Sequence, residues 1–151
     1  MTKIEHSRKK LLDQVDAMLS KSRLPDQTSS LPMTVDSMTA LSLRLDALFE
    51  VNRIYRDQTL TGKRLSELLK TNTTYLSHLV NTYYKCSIPQ FLNRYRVAEA
   101  RALLADPANN NLTLEAVGRL CGFNSKSSFN RAFRDETGVT PQEFKNFRQK
   151  I

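Results

Sequence analysis

The chain has 151 residues, of which 40% are hydrophobic and 25% are charged, and its formal net charge is +8. This length allows one ordinary domain or two small lobes, and the hydrophobic fraction excludes a purely disordered tail. The positive charge favours a polyanionic partner, either nucleic acid or an acidic membrane surface, and it comes mainly from residue 41 onward, where 17 basic residues stand against 10 acidic ones.

The amino-acid composition also indicates the fold class and excludes some kinds of site. Only four glycines and no tryptophan occur, while Leu, Ala, Arg and Lys are frequent, which predicts an all-α protein because these residues lose little on entering a helix. Cys86 and Cys121 have no further Cys or His at ligand spacing, so we expect two free core thiols in a reducing cytosol and no metal site. No apolar run reaches the length of a membrane span and no secretory signal pattern opens the chain, which predicts a cytoplasmic protein.

An amphipathic helix is predicted at residues 3–20, followed by a polar, proline-containing linker at 22–32. We expect residues 1–38 to form a segment separate from the remainder of the chain. The apolar stripe of its helix fits a homodimer contact or a partner contact, and equally a loosely docked arm. Because basic residues flank the stripe, binding to a membrane surface is a further alternative. The stripe consists of Ile4, Leu11, Leu12, Val15, Met18 and Leu19.

The first lobe is predicted at about 39–86. A helix starting at Thr39 is expected to turn one face inward. A short helix at about 62–70, with Thr61 as its N-cap, a turn at Thr71-Asn72 and a helix at about 74–85 follow. The inward face of the first helix is expected to carry Leu41, Leu45, Leu48, Phe49 and Tyr55, and that of the last helix Leu76, Leu79, Val80 and Tyr83.

A bridging helix is predicted at about 87–105, opened by a capping box at Ser87 and Gln90 and ended before Pro107. Its apolar residues, which include Ala98 and Ala102, cover more than one face, as expected of a helix that joins two lobes. Its length of roughly 28 Å is close to the spacing of about 34 Å between successive major grooves on one side of DNA. A single chain could therefore hold two helices about one DNA turn apart.

The second lobe, predicted at about 106–151, repeats the layout. It has a short helix at about 113–121 ended by Gly122, and a helix at about 126–137 with Phe129, Ala132 and Phe133 inward. A capping box at Thr140 and Glu143 opens a last helix, which carries Phe144 and Phe147.

The two lobes form an internal repeat with an offset of 53 residues, which pairs Leu76 with Phe129, Leu79 with Ala132 and Val80 with Phe133. In each half, a short helix and a tight turn precede a second helix, which is the layout of a helix-turn-helix unit whose second helix recognises DNA. We call the helices at about 74–85 and 126–137 the recognition helices.

Four stretches carry a resemblance to a known family: RVAEARALL at 96–104, VGRLCGF at 117–123, FNRAFR at 129–134 and TGVTP at 137–141. Residues 41–150 resemble the AraC/XylS-type DNA-binding domain of bacterial transcription regulators. The resemblance implies seven helices in two helix-turn-helix lobes that bind DNA. Most members carry a separate sensor domain, and residues 1–40 cannot hold one. The chain is therefore interpreted as a short regulator without a small-molecule effector domain, or as the DNA-binding end of a larger, membrane-anchored regulator.

With the apolar stripes turned inward, each recognition helix presents an outward polar face, which on the first helix also includes Asn81. Most positions of these faces match those through which the family is known to contact bases. Arg131 can pair with guanine and Asn130 with adenine, so most base discrimination is expected from the second helix. Base contacts are expected from Thr74, Ser77, His78, Lys126, Ser127, Asn130 and Arg131, and phosphate contacts from Thr61, Lys63, Thr73, Ser125 and Arg134.

Other interpretations of the same residues remain open. Arg131 could face a phosphate, and Asn130, Ser127 and His78 could be ordinary surface residues. The arginines of the bridging helix, Arg94, Arg96 and Arg101, could pair with Glu99 or nearby acids and not with DNA.

No catalytic constellation occurs, so we expect no enzyme activity and no cofactor. Double-stranded DNA is the expected partner, and RNA polymerase is a second candidate. The alternative function is a protein-interaction module, such as an anti-activator, with little DNA specificity of its own.

Overall fold

The computed structural model describes residues 34–149, and within that range the chain forms seven α-helices and no β-strand, as predicted from composition. The predicted helix at 3–20, the linker at 22–32 and the proposed dimer contact lie outside the described residues. None of the described helices is both long and apolar enough to cross a membrane. The helices are α1 (Val35–Glu50), α2 (Gly62–Leu68), α3 (Thr73–Tyr84), α4 (Ile88–Ala105), α5 (Leu114–Leu120), α6 (Lys126–Thr137) and α7 (Pro141–Gln149).

The chain divides into two compact units. The first comprises the described residues up to Ile54 together with Leu60–Ile88, and it contains α1, α2 and α3. The second comprises Tyr55–Thr59 and the chain from Pro89 onward, and it contains α5, α6, α7 and all of α4 except its first residue. The short segment Tyr55–Thr59 thus lies between two helices of the first unit in sequence but is part of the second unit.

The first unit differs from the prediction at both ends of α1. The helix begins four residues earlier than expected because the Thr34 hydroxyl accepts a hydrogen bond from the Ser37 amide at 3.2 Å, which satisfies a free donor of the first turn. It also ends at Glu50, so the expectation that Tyr55 continues its apolar face is wrong. Arg53 has a φ of 52° and turns the chain away from the helix, and Tyr55 lies in a separate 3-10 turn.

The buried side chains of the first unit follow the predicted stripes. Leu41, Leu45 and Phe49 of α1 are completely buried, and so are the inward residues Leu76, Leu79 and Val80 of α3. Tyr83 was expected to point inward but is 43% exposed. It lies in the last turn of α3, where the phenol ring can remain partly in water without exposing the core.

A single cluster forms the core of the second unit and joins α4, α5 and α6. Phe129 and Phe133 of α6 contact each other with ring centroids 5.9 Å apart, and Phe133 contacts Phe144 of α7 at 5.5 Å. The buried members of the cluster are Val97, Ala100, Leu104, Val117, Cys121, Phe123, Phe129, Ala132 and Phe133.

Helix α4 has the predicted bounds to within one residue, but its apolar residues are not all buried. Ala98 and Ala102 are exposed, so the expected burial on more than one face is overstated. A methyl group costs little at the surface, and alanine is common on exposed helix faces because of its helix propensity. Cys86 and Cys121 are both buried thiols that form no disulfide, as predicted.

Candidate nucleic-acid interface

The short helix of each unit ends in the same kind of turn. In the first unit, Lys70 has a φ of 56° and the Thr71 amide donates to the Ser66 carbonyl at 2.9 Å. In the second unit, Gly122 has a φ of 105° and the Phe123 amide donates to the Gly118 carbonyl at 2.9 Å. Each turn therefore combines a residue of left-handed backbone conformation with a backbone hydrogen bond across the end of the helix. This combination changes the chain direction within a few residues.

An N-cap fixes the first residue of each recognition helix. The Asn72 side chain accepts a hydrogen bond from the Tyr75 amide at 2.9 Å at the start of α3, and the Ser125 hydroxyl accepts one from the Ser128 amide at 3.1 Å at the start of α6. Helix α3 consequently starts at Thr73, one residue before the predicted start. The two recognition helices have the same length of 12 residues.

The repeat is not uniform along the chain. The recognition helices α3 and α6 are offset by the predicted 53 residues, whereas the short helices before them, which begin at Gly62 and Leu114, are offset by 52. The turn of the second unit is therefore one residue longer than that of the first. The second turn also brings α5 and α6 close together, since a Cβ added to Gly118 would lie 2.7 Å from Cδ2 of Phe129.

The outward face of α3 is polar and carries no formal charge. All five side chains predicted for this face are exposed, whereas Tyr75, Leu76, Leu79 and Val80 are buried on the opposite side. The twelve residues of α3 include no Lys, Arg, Asp or Glu, so His78 is its single basic side chain. The face consists of Thr73, Thr74, Ser77, His78 and Asn81.

The outward face of α6 is chemically different. Lys126, Arg131 and Arg134 give it three exposed cations, and Ser127 is exposed beside them. Asn130 is half-buried. Two acids follow at the end of the helix, and one of them, Glu136, lies 4.0 Å from Arg94 of α4. The cationic part of the face is therefore spread over the first three turns of α6.

The candidate phosphate ligands lie at helix starts. Thr61 is exposed and, as predicted, is the N-cap of α2, where its hydroxyl accepts from the Arg64 amide at 3.1 Å. The hydroxyl of Ser125 caps α6 in the same way and also lies 2.9 Å from that of Ser128. Lys63 is exposed in the first turn of α2. The remaining candidates, Thr73 and Arg134, are exposed on the recognition helices.

Arg96 has a different role from those considered in the sequence. Its guanidinium is buried and donates from Nε to the Tyr55 carbonyl at 2.7 Å and from Nη2 to the Asp57 carbonyl at 2.9 Å. The expectation that it faces DNA or pairs with an acid is therefore wrong. Burial lowers the pKa of Arg96 below its ordinary value, and the charge of Asp57 opposes this change. A signal for burial was present, since Arg96 is four residues from both Leu92 and Ala100 on the inward face of α4.

Glu99 pairs with a residue that the sequence did not suggest. Arg56 donates from Nε to both of its carboxylate oxygens, at 2.8 and 3.0 Å. Hydrogen bonding to Glu99 raises the pKa of Arg56, although partial burial acts against it. The two residues are 43 positions apart, so helical spacing could not reveal the pair.

A shallow depression lies beside the start of α6 and includes polar side chains that were not predicted to take part in the site. Arg119 lines it but is held by an ion pair with Glu115 at 2.7 Å. Asn124, which precedes the N-cap Ser125, is exposed and lines it as well. Its position directly before a recognition helix makes it an additional candidate for a contact.

Comparison with known proteins places this architecture among regulators. The helix-turn-helix domain family matches residues 65–146. The chain is 31% identical over 106 residues to the uncharacterized HTH-type transcriptional regulator YijO of Escherichia coli K12, covering 68% of this chain and 36% of that protein. It is 28% identical over 93 residues to the melibiose operon regulatory protein of the same organism, covering 62% and 30%. The chain thus spans about a third of the length of these relatives.

A solved structure shows the same fold. The DNA-binding transcriptional dual regulator from Escherichia coli K-12 superposes with a TM-score of 0.59 over 82% of this chain and all of that one, at 19% identity.

Proposed function

The chain belongs to the AraC-type helix-turn-helix family, and from this premise we propose that it is a transcription regulator that binds double-stranded DNA sequence-specifically. One observation carries the proposal: each unit presents the polar face of a capped recognition helix, α3 or α6, directly after a helix-turn-helix turn. We propose that these two helices enter two successive major grooves. Helix α4, with 18 residues and a length of about 27 Å, has the dimensions of a spacer for that arrangement.

Base discrimination is assigned mainly to α6. Arg131 can donate two hydrogen bonds to guanine, Asn130 can form two with adenine, and Lys126 can reach guanine or a phosphate. Such two-bond pairs are each worth about 1–3 kcal/mol against the wrong base. Ser127 completes this set.

Helix α3 is expected to discriminate less. Thr74 and Ser77 offer short hydroxyls that can bond to more than one base, and His78 is the longest polar side chain of the three. Because α3 has no formal charge, its attraction to the phosphate backbone must come from its surroundings. Thr61, Lys63 and Thr73 are the proposed phosphate ligands in the first unit, and Ser125 and Arg134 in the second.

The uncharged face of α3 also favours a second candidate function, in which the chain mainly contacts other proteins and has little DNA specificity of its own. We also propose RNA polymerase as a protein partner of such a regulator.

Selection of bound duplexes from a random pool, followed by substitution in α6, tests the assignment. We call the part of the DNA site bound by α3 the first half-site and the part bound by α6 the second half-site. Arg131→Ala is expected to relax base preference at one position of the second half-site and to cost about 1–3 kcal/mol of binding free energy there. Arg134→Ala is the matched control, because loss of a phosphate contact weakens binding to all sequences about equally. His78→Ala is expected to relax the first half-site less than Arg131→Ala relaxes the second. Equal relaxation at both half-sites would contradict the assignment to α6, and recovery of no preferred sequence would contradict DNA-specific function.

A further inference from the structure

The segment Tyr55–Thr59, which we call the strap, is held against the second unit although its neighbours in sequence belong to the first. As a result, the chain passes between the units three times, after Ile54, after Thr59 and after Ile88. Two of these three passages are the ends of the strap. A chain segment that connects two units restrains them more strongly when it is short and its ends are fixed. The attachment of the strap to the second unit therefore decides how long the flexible connections on either side of it are.

Buried hydrogen bonds attach the strap. The Arg96 guanidinium donates to the Tyr55 carbonyl at 2.7 Å and to the Asp57 carbonyl at 2.9 Å, and only 8% of Arg96 is exposed. A charged group removed from water in this way has a large desolvation cost unless it is hydrogen-bonded. Loss of Arg96 would in turn leave the buried Tyr55 carbonyl without this donor.

Further contacts surround this attachment. The Tyr55 ring packs against Tyr95 with centroids 5.6 Å apart, and Arg56 pairs with Glu99, so residues in two adjacent turns of α4 face the strap. The Asp57 carboxylate accepts hydrogen bonds from the amide and the hydroxyl of Thr59, at 2.8 and 2.7 Å, which shapes the strap itself.

The same arginine also borders the helix-turn-helix turn of the second unit. Its guanidinium carbon lies 5.7 Å from the centre of the Phe123 ring, and a Cβ at Gly122 would approach Arg96 Nε at 2.8 Å and overlap the Tyr55 carbonyl. The strap, Arg96 and the turn before α6 therefore form one packed layer inside the second unit.

We propose that Arg96 is a positioning residue that limits the half-site spacing the protein accepts, by pinning the strap to the second unit. This inference rests on the proposed function. With the strap pinned, the loop between α1 and α2 is divided into two short connections. With it released, residues 51–61 become one long, slack connection, and the passage after Ile88 is the remaining short connection between the units. A longer flexible linker allows two binding modules more relative arrangements. The effective concentration of the second module at its half-site is then lower in any one arrangement.

The test uses the full chain and duplexes that carry the two half-sites recovered by selection, at the selected spacing and at spacings changed by one to four base pairs. A duplex with the second half-site alone is included. Each added base pair rotates a half-site by about a tenth of a turn, so the wild-type protein should lose about tenfold in affinity at altered spacings. Arg96→Met should bind the single half-site within about twofold of wild type but distinguish spacings by less than about threefold.

Three further measurements make the result decisive. Arg101→Met, an exposed arginine of the same helix, should retain the full spacing preference. Arg56→Gln, which removes the ion pair with Glu99 without leaving a buried carbonyl unpaired, should weaken the preference even if Arg96→Met fails to fold. Without DNA, trypsin should cleave after Arg56 faster in Arg96→Met than in wild type, which reports release of the strap independently of DNA binding.

Unchanged spacing preference in both folded variants would overturn the proposal, and so would equal cleavage after Arg56. A wild-type protein that selects one half-site, or that accepts all spacings equally, would overturn this inference but leave DNA recognition intact. A wild-type protein that selects no sequence would refute the proposed function itself, while the cleavage measurement would still report on the strap.

Discussion

Two glycines have left-handed backbones for different physical reasons. Gly138, with a φ of 84°, ends α6, and apart from its immediate neighbours in the chain nothing lies within 4 Å of where a Cβ would stand. Gly122, with a φ of 105°, has the Tyr55 carbonyl and Arg96 in that place. Gly138 thus satisfies a local requirement of the helix end, whereas Gly122 satisfies that requirement and also makes room for the strap.

Substitution of these two glycines by alanine separates the free-energy cost of backbone strain from the cost of steric overlap with the strap. Gly138→Ala should lose about 1 kcal/mol of unfolding free energy, because only the left-handed backbone is strained. Gly122→Ala should lose about 3 kcal/mol or more, because backbone atoms of the strap must also move. Urea denaturation of the two variants measures the difference, and equal losses would show that the strap does not press against the turn.

Cys121 provides a pH-dependent test of core burial. Burial, assisted by the negative charge of Glu99, raises the pKa of its thiol from 9.0 to about 12, while Arg56 and Arg96 act in the opposite direction. In the unfolded chain the thiol ionises at its ordinary pKa. The folded protein therefore binds more protons between pH 9.0 and about 12, and stability falls as the pH rises through that window.

The unfolding free energy should consequently decline more steeply between about pH 8 and about pH 10 in the wild-type protein than in Cys121→Ala. The alanine variant loses some stability at every pH through the missing sulfur atom, so the slopes are compared and not the absolute values. Identical slopes would mean that the thiol reaches water in the folded state.

At the scale of single elements, side-chain caps and turn residues set the helix bounds. Thr61 and Thr113 cap the two short helices, and Asn72 and Ser125 cap the two recognition helices. The corresponding turns use different left-handed residues, Lys70 in the first unit and Gly122 in the second. Only the second turn has a strap carbonyl against it, so the first can tolerate a side chain there.

Removal of an N-cap side chain should destabilise the helix that it caps. Thr113→Ala leaves the Ala116 amide, now bonded at 3.0 Å, without its side-chain acceptor and should cost about 1 kcal/mol of unfolding free energy. Thr113→Ser retains the hydroxyl and should remain within a few tenths of a kcal/mol of wild type. Thermal denaturation followed by circular dichroism distinguishes the two, and equal losses in both variants would assign the effect to the lost methyl group.

At the scale of the molecule, the chain has a net charge of +8, and its two recognition helices present chemically different faces. The second offers cations and an amide suited to base edges, whereas the first offers hydroxyls and one histidine. DNA binding requires neutralisation of phosphates and a purely protein-binding role does not, so the two candidate functions predict different salt dependence.

Salt titration of DNA binding should therefore show a strong dependence. If about six phosphates are neutralised, the logarithm of the association constant should fall with the logarithm of salt concentration with a slope of roughly −5. Arg134→Ala should make the slope smaller by about one. A flat salt response with duplex DNA would favour the protein-interaction function.

Much of the fold follows from local sequence patterns. The seven helices, the buried faces of α3 and α6 and the caps at Thr61 and Thr140 were predictable, because helical periodicity and capping involve residues no more than four positions apart. The exposed recognition faces follow from the same periodicity, and their DNA contacts remain a prediction.

Only the tertiary structure decided what Arg96, Glu99 and Tyr55 do. Their partners lie about forty positions away, so neither periodicity nor local propensity contains that information. Arg96 lies on an inward helix face, but its burial requires two carbonyl acceptors, and the strap supplies them only once the second unit has formed around it. The spacing of apolar and capping residues along the sequence determined the bounds of each helix and the face that it buries. The hydrogen bonds of the buried Arg96 guanidinium decided how the strap is joined to α4.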